Sequence, residues 1–190
     1  MTQKFLLIGL FFGGVLLFWL LNQRKGGKYD LRTRFDRHIP FVKSFVLAYL
    51  GLFPFIAFAG FILFNTSIAL EYFTSMAFAM YSAALIWKLF PAKMYRPPVQ
   101  RKGVLERLVY EVYRDDPHAN AFPSSHVFTS FLTAHYLAVV YPLHAWLAWS
   151  IGIAIAFSTV LIKQHHAVDI LGGTVWAVLA VAVAKALLYL

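Results

Sequence analysis

The chain has 190 residues, of which 61% are hydrophobic, 18% aromatic and only 13% charged. This composition excludes an ordinary soluble domain and predicts a membrane protein, with room for about six spans of roughly 20 residues each. The lack of cysteine excludes disulfide bonds, thiolate catalysis and thiolate metal sites, and a net charge of +9 on a chain mostly within lipid argues against nucleic acid as a partner.

Six apolar stretches follow one another along the chain and predict six transmembrane helices at 5–22, 40–64, 68–90, 126–143, 145–162 and 167–190. The first is predicted to be a retained anchor, because only Lys4 precedes it and no small-residue cleavage pattern follows. The expected fold is an all-α, six-helix integral membrane bundle. Residues 1–39 form its first helix and a basic connection, and residues 40–190 form the main membrane domain. Gly172 and Gly173 are expected to allow close helix packing.

Alternation of six spans places the connections 23–39, 91–125 and 163–166 on one face of the membrane. Within the second connection, an apolar stripe predicts a short amphipathic helix at the interface, formed by Val104, Leu105, Leu108, Val109 and Val112. Fifteen of the 17 lysines and arginines belong to this face, which the positive-inside rule makes cytoplasmic. The basic segment 24–37, which includes Arg24 and Lys25, is alternatively a site for anionic lipid head groups.

The same three connections carry the residue types that phosphoryl chemistry needs. A phosphate ester requires cations for its nonbridging oxygens, a nucleophile in line with the departing oxygen, and an acid that protonates this oxygen. Lys93 and Arg96 are predicted to project from the same side of one turn and to hold phosphate oxygens. Ser124 or Ser125 is predicted to cap the following helix, where free backbone N–H groups would face an anion.

Two histidines and one carboxylate complete the predicted site. His165 lies four residues before Asp169, a spacing that lets the carboxylate hold one imidazole nitrogen and leaves the other to attack phosphorus. His126 is then free to act as the general acid towards the leaving alkoxide. His118 and His166 are predicted to face substrate or solvent, and His135 to be a packed residue inside its span. A zinc site built from these histidines is disfavoured, because no helix carries metal-ligand spacing.

Arg96-Pro97, Pro123-Ser124-Ser125-His126 and the run from Ser158 through His165 to Asp169 resemble the three signature motifs of the type 2 phosphatidic acid phosphatase superfamily. The resemblance covers roughly residues 40 to 190. It implies a metal-independent enzyme without a cofactor, in which His165 is the nucleophile, Asp169 orients it and His126 protonates the leaving group. The substrate it implies is a membrane lipid phosphate such as phosphatidate, phosphatidylglycerophosphate or a polyprenyl phosphate or diphosphate. It also implies a catalytic face outside the cytoplasm, contrary to the charge count.

The sequence departs from the family pattern at two positions. The family's leading lysine falls where this chain has Leu89, so Lys88 and Lys93 are both candidates for its role. The arginine expected after Ser158 is Thr159, which Lys163 is a candidate to replace. Because residues 162–165 also resemble relatives nearer to inositol phosphorylceramide and sphingomyelin synthases, phosphotransfer to an alcohol is the alternative to hydrolysis. An inactive lipid-binding or transport protein is the non-enzymatic alternative. The sequence does not indicate an oligomeric state.

Overall fold

The computed structural model describes residues 2–22, 27–116 and 120–189, so that Arg24, Lys25 and His118 lie outside the described residues. The α-helices and strands of this part of the chain are α1 Thr2–Asn22, β1 Tyr29–Asp30, α2 Val46–Leu50, α3 Leu52–Leu63, α4 Ala69–Leu89, β2 Ala92–Lys93, α5 Val104–Asp115, α6 Ser125–Val140, α7 Ala145–Leu161 and α8 Ala167–Tyr189. The predicted helical architecture is therefore confirmed.

Each of the six apolar stretches is helical, and four helical segments are long and apolar enough to cross a membrane. These are Lys43–Leu63, Ala69–Leu89, Pro142–Leu161 and Ala167–Tyr189. The apolar part of α1 covers Phe5–Leu21, and α6 has 16 residues, so both fall short of that length within the described residues. The number of six spans stays a prediction.

The second apolar stretch is interrupted between α2 and α3 at Gly51. Pro54 lies three residues further on, and its missing N–H cannot bond to the carbonyl of Leu50. Gly51 keeps helical backbone angles, so α2 and α3 belong to one helical segment, Lys43–Leu63. Tyr49, in the short first part, lies beside the first turn of α6, where its ring stacks on His126.

Helix α6 is central and packs against α3, α4, α7 and α8, while α1 packs along α4. The close approach of α6 and α8 depends on two glycines, as predicted. A Cβ atom on Gly173 would lie 2.9 Å from the carbonyl oxygen of Ser124, and one on Gly172 would lie 2.3 Å from the ring of Phe122. Both distances are too short for any larger residue, so the glycines fix how closely α8 meets the start of α6.

A polar network lies inside the bundle, near the start of α4. Glu71 is buried and accepts a hydrogen bond from the hydroxyl of Tyr136 at 3.1 Å. The same hydroxyl lies 2.7 Å from Oγ of Ser75. A buried carboxylate is costly unless it is hydrogen-bonded, so Glu71 requires the donor that Tyr136 supplies. The hydrogen bonds of this network therefore join α4 to α6.

Helix α5 has the predicted amphipathic character and lies over α2. Val109 is fully buried against Val46, Tyr49 and Ile162, and its partly buried helical neighbours there are Leu105, Leu108 and Val112. The ion pair of Lys43 with Glu106 joins the two segments at the surface. The amphipathic helix thus closes one side of the region where the polar connections meet.

The chain after α4 does not form the predicted turn. Ala92 and Lys93 form β2, which pairs in parallel with Tyr29 and Asp30 of β1. The prediction that Lys93 and Arg96 share one side of a turn is therefore wrong. The backbone is extended there because it pairs with a segment more than sixty residues earlier, which no local pattern indicates.

Candidate active site

The turn between α7 and α8 brings His165 to the first turn of α6. Helix α7 ends in a Schellman motif, in which the N–H of Gln164 donates to the carbonyl of Thr159 at 2.8 Å and that of Lys163 donates to Val160 at 3.2 Å. Lys163 has a φ of 57°, in the left-handed region where glycine is usual. The His165 N–H also donates to the Thr159 carbonyl, at 3.0 Å. These bonds fix the histidine directly beyond the helix end.

Asp169, in the first turn of α8, is fully buried and holds this turn from the other side. One carboxylate oxygen, Oδ2, accepts from the backbone N–H of His166 at 2.8 Å and lies 3.3 Å from Nδ1 of His165. This contact leaves Nε2 of His165 as the nitrogen with an available lone pair, provided Nδ1 carries the proton. The pair has the geometry of an oriented imidazole nucleophile.

His126 lies on the facing end of α6, and its ring centroid is 6.4 Å from that of His165. The ring stacks on Tyr49 with centroids 3.9 Å apart, and the edge of Phe53 faces it at 6.3 Å. Its Nε2 is buried and has no hydrogen-bond partner among the described residues. With contacts of about 3 Å on each side, one tetrahedral phosphate can touch both imidazoles.

The start of α6 is capped as predicted, by Ser124. Its hydroxyl oxygen accepts from the N–H of Val127 at 3.4 Å, and its own N–H donates to the carbonyl of Asp169 at 3.3 Å. The Ser124 side chain is fully buried, so it serves the helix cap. Among the described residues, the N–H groups of Ser125 and His126 have no hydrogen-bond partner, which leaves two donors at the positive end of the helix.

A polar cavity of about 490 Å³ opens beside His165. Its cationic wall comes from the N-terminal connection and its other wall from the turn after α7; the residues that line it include Arg32, Arg34, Asp36, Arg37, Lys163, His165 and His166. Burial lowers the pKa of His166, against the opposing effect of Asp169 and Asp36. Neither ring nitrogen of His166 has a partner among the described residues.

An apolar cleft of about 290 Å³ reaches His126. Its walls come from α1, α2, α3 and α5, and the residues that line it include Phe18, Trp19, Leu50, Phe53, Leu108 and Val112. The carboxylates of Glu111 and Asp115 in α5, and of Asp116 directly after it, also line the cleft. His165 thus lines a cationic cavity, and His126 lines an apolar cleft.

Arg96 is engaged with the end of α5. Its Nη1 donates to the carbonyls of Tyr113 at 2.9 Å and Asp116 at 2.6 Å, and its Nη2 lies 3.4 Å from the Asp116 carboxylate. The guanidinium is 4% exposed and only Nε is unpartnered, so the arginine caps a helix C-terminus. Burial lowers the pKa of Arg96, with Asp116 opposing, which leaves it charged.

Asp116 links Arg96 to the histidines through Gln164. The amide nitrogen of Gln164 donates to the Asp116 carboxylate at 3.2 Å and to the hydroxyl of Tyr49 at 3.3 Å. Tyr49 in turn stacks on His126. Arg96 thus supports the position of His126 through a chain of contacts.

The other predicted cations lie in different surroundings. Lys88 is exposed at the end of α4 and lines neither the polar cavity nor the apolar cleft. Lys93 is half-buried in β2, with Nζ 5.6 Å from the ring centroid of Tyr95, which does line the polar cavity. The hydroxyl of Thr159 is buried and donates to Ala156 at 2.7 Å, so this position holds no cation. Lys163 lines the cavity, while its amine donates to two backbone carbonyls.

Sequence reasoning missed several residues that the structure brings to the site. Arg34 and Arg37 belong to the basic segment 24–37 considered for lipid head groups, so their positive charge could have indicated a place near an anionic substrate. Tyr49 and Gln164 carried no such signal, because an aromatic residue in an apolar run and a glutamine in a short turn are ordinary. Within the described residues, no three His, Asp or Glu side chains converge so that they could hold a metal ion.

No family model matches the chain, and no curated protein and no solved structure matches it either.

Proposed function

We propose that the protein is a multi-pass integral membrane enzyme of the type 2 phosphatidic acid phosphatase superfamily, which hydrolyses a phosphate monoester or diphosphate on a lipid. One observation supports this most directly. The imidazole of His165, held by buried Asp169, lies 6.4 Å between ring centroids from that of His126, and His165 lines the cationic cavity while His126 lines the apolar cleft. A lipid phosphate likewise combines an anionic group, which suits the cationic cavity, with an apolar chain, which suits the apolar cleft.

The first chemical step transfers the phosphoryl group to the enzyme. The lone pair on Nε2 of His165 attacks phosphorus and forms a P–N bond, while the bond from phosphorus to the lipid oxygen breaks. The electron pair leaves with that oxygen, which takes a proton from the imidazolium of His126. The carboxylate of Asp169 stabilises the positive charge that develops on the ring of His165.

The second step restores the enzyme. Water attacks phosphorus, gives one proton to the now neutral imidazole of His126, and the P–N bond breaks with its electron pair returning to Nε2 of His165. Inorganic phosphate leaves and both histidines regain their starting protonation states. A bound phosphate dianion favours the protonated form of His126.

The apolar cleft supports a lipid as the leaving group. It reaches His126, the proposed acid, and Phe18, Trp19 and Phe53 offer apolar surface beside it. The helical segments Lys43–Leu63 and Ala69–Leu89 are long and apolar enough to lie in the same bilayer as such a substrate. A lipid chain in the cleft would place its oxygen next to the general acid.

The direct test is phosphate release from a panel of lipid phosphates and diphosphates by the purified protein in detergent micelles. We expect His165→Ala and His126→Ala each to lower kcat by at least about 100-fold, the lower end for loss of acid–base catalysis. His144→Ala is the matched control, because His144 is exposed and lines neither of the two cavities beside the histidine pair. Equal activity of His165→Ala and wild type would end the proposal.

The roles of the two histidines can be separated. A substrate that releases 4-nitrophenol needs little help from an acid, so it should restore most of the first-step rate to His126→Ala but none to His165→Ala. Rapid quenching should trap an alkali-stable phosphohistidine in wild type that is missing from His165→Ala. A labelled residue other than His165 would reassign the nucleophile.

Transfer to an alcohol is the second candidate, and the size of the polar cavity favours it. At about 490 Å³, the cavity could accommodate an acceptor beside a phosphoryl group, since a water molecule occupies about 30 Å³ in the liquid. Turnover that requires an alcohol, without phosphate release in water, would identify a transferase. A protein that binds lipid phosphates and turns over none of them, with or without an alcohol, would be the inactive lipid-binding alternative.

A further inference from the structure

We propose that residues 27–39, here called the arginine loop, form an anion subsite for the phosphoryl group of the substrate, with Asp36 as the positioning residue that holds the loop against His165. This inference rests on the proposed function for the identity of the anion. The attachment of the loop does not depend on which anion binds.

Asp36 bonds at the same time to its own loop and to α8. Its Oδ1 accepts from the backbone N–H of Ala167 at 2.7 Å, at the first residue of α8. Its Oδ2 accepts from the N–H of Thr33 at 2.6 Å and from the hydroxyl of the same residue at 2.8 Å. A carboxylate at a helix N-terminus is stabilised by the helix dipole as well as by the hydrogen bond. The loop is therefore fastened two residues beyond His165.

Lys163 provides a second attachment. Its Nζ donates to the carbonyls of Asp36 at 3.3 Å and Ile39 at 2.5 Å. The N–H of Val42 donates to the carbonyl of Leu161 at 2.8 Å, which continues the contact past the end of the loop. The left-handed residue of the Schellman motif that precedes His165 is this same Lys163. One short turn thus carries both the nucleophile and the anchor of the loop.

The cations that remain for an anion in the polar cavity belong to the loop. Arg96 donates to carbonyls at the end of α5, and the amine of Lys163 donates to carbonyls of the loop. Arg32 pairs with Asp30 and stacks on Tyr95. Arg34 and Arg37 line the same cavity as His165, and neither forms an ion pair with a described carboxylate. Two guanidinium groups are thus available for phosphate oxygens.

This arrangement predicts a particular kinetic signature. Arginines that hold the nonbridging oxygens contact the substrate in its ground state as well as in the transition state, so their loss should raise KM more than it lowers kcat. Loss of Asp36 should have the same effect indirectly, because the loop would no longer hold its arginines over the cavity. If Asp36 had only a structural role, its loss would lower the yield of folded protein without raising KM more than it lowers kcat.

The experiment compares Arg34→Gln/Arg37→Gln, Asp36→Ala and Asp36→Asn with wild type and with the control Lys102→Gln, an exposed residue that lines neither the polar cavity nor the apolar cleft. We expect the double variant and Asp36→Ala to raise KM about tenfold or more, as loss of a charge-assisted hydrogen bond does. Asp36→Asn keeps one oxygen that can accept from the N–H of Ala167, so its KM should lie between those of wild type and Asp36→Ala. Unchanged KM in the double variant would overturn the subsite.

Two further measurements separate this inference from the proposed function. Trypsin cleavage after Arg34 and Arg37 reports loop attachment without catalysis, and Asp36→Ala should be cleaved about tenfold faster than wild type if the attachment is lost. Binding of labelled phosphatidate to His165→Ala, with and without the arginine changes, reports the subsite without turnover. If binding depends on Arg34 and Arg37 but the wild-type protein hydrolyses none of the lipid phosphates, the subsite would be supported and the phosphatase activity refuted. If hydrolysis requires His165 but its KM is unchanged by the arginine substitutions, the phosphatase activity would be supported and the subsite refuted.

Discussion

The substitution Asp169→Asn isolates the contribution of one buried charge. In the native chain, Oδ2 accepts from both the His166 N–H and Nδ1 of His165, while Oδ1 has no partner among the described residues. An asparagine of the same shape can put its oxygen where Oδ2 lies and keep both hydrogen bonds. The imidazole tautomer is then unchanged, and only the negative charge disappears.

In the proposed reaction, the loss of charge matters most when His165 attacks phosphorus, because its ring becomes positive as the P–N bond forms. The donor and acceptor atoms are 3.3 Å apart, which places the two charge centres at about 4 Å. Two unit charges at this separation interact by about 4 kcal/mol at an effective dielectric constant of 20. This energy corresponds to about 1,000-fold in kcat with little change in KM.

The assay is steady-state phosphate release, with thermal unfolding in the same detergent as the check on folding. Glu106→Gln is the matched acid-to-amide control, since Glu106 pairs with Lys43 on the surface and lines neither the polar cavity nor the apolar cleft. We expect Glu106→Gln to keep its activity. A folded Asp169→Asn variant with kcat within about tenfold of wild type would refute the electrostatic argument, because the expected energy exceeds that ratio by about 3 kcal/mol.

Three further predictions concern packing, the buried network and pH. Gly173→Ala should destabilise the fold by about 1–3 kcal/mol, measured by unfolding, because the new Cβ meets the backbone of α6, whereas Gly60→Ala, with nothing within 4 Å, should not. Tyr136→Phe should cost about 1–3 kcal/mol, since buried Glu71 loses a donor; an unchanged melting temperature would contradict this. Burial raises the pKa of Asp36, but hydrogen bonds from Thr33 and Ala167 bring it below its usual value. The ionised carboxylate therefore stabilises loop attachment above about pH 4, and the hydrogen-exchange protection factors of the loop, which correct for the intrinsic pH dependence of exchange, should fall as the pH drops below this.

Much of the helical architecture could be predicted because its signals are local. The apolar run 68–90 corresponds to the helix Ala69–Leu89, and the run 167–190 to Ala167–Tyr189. The stripe of α5, the cap by Ser124 and the packing role of Gly173 follow from residue spacing and side-chain size. Each of these signals lies within a few residues of the structure it specifies.

The cationic side of the site could not be predicted in the same way. Arg96 was expected to bind phosphate, but α5 folds back so that its C-terminal carbonyls take up the guanidinium. Lys93 was expected in a turn, but β1 pairs with it. Arg34 was recognised only as part of a basic segment, since its place beside His165 depends on hydrogen bonds between parts of the chain more than a hundred residues apart.

The sequence by itself determined that this chain forms apolar helices, and it indicated His126, His165 and Asp169 as the candidate catalytic residues. It could do so because helix periodicity, capping and the i to i+4 spacing of a histidine and a carboxylate are short-range properties. Only the tertiary structure decided which cations face the histidines, because lysine and arginine side chains donate to whichever acceptors the packed helices and loops bring within reach. For Arg96 and Lys163 those acceptors are backbone carbonyls, which leaves Arg34 and Arg37 to face the cavity.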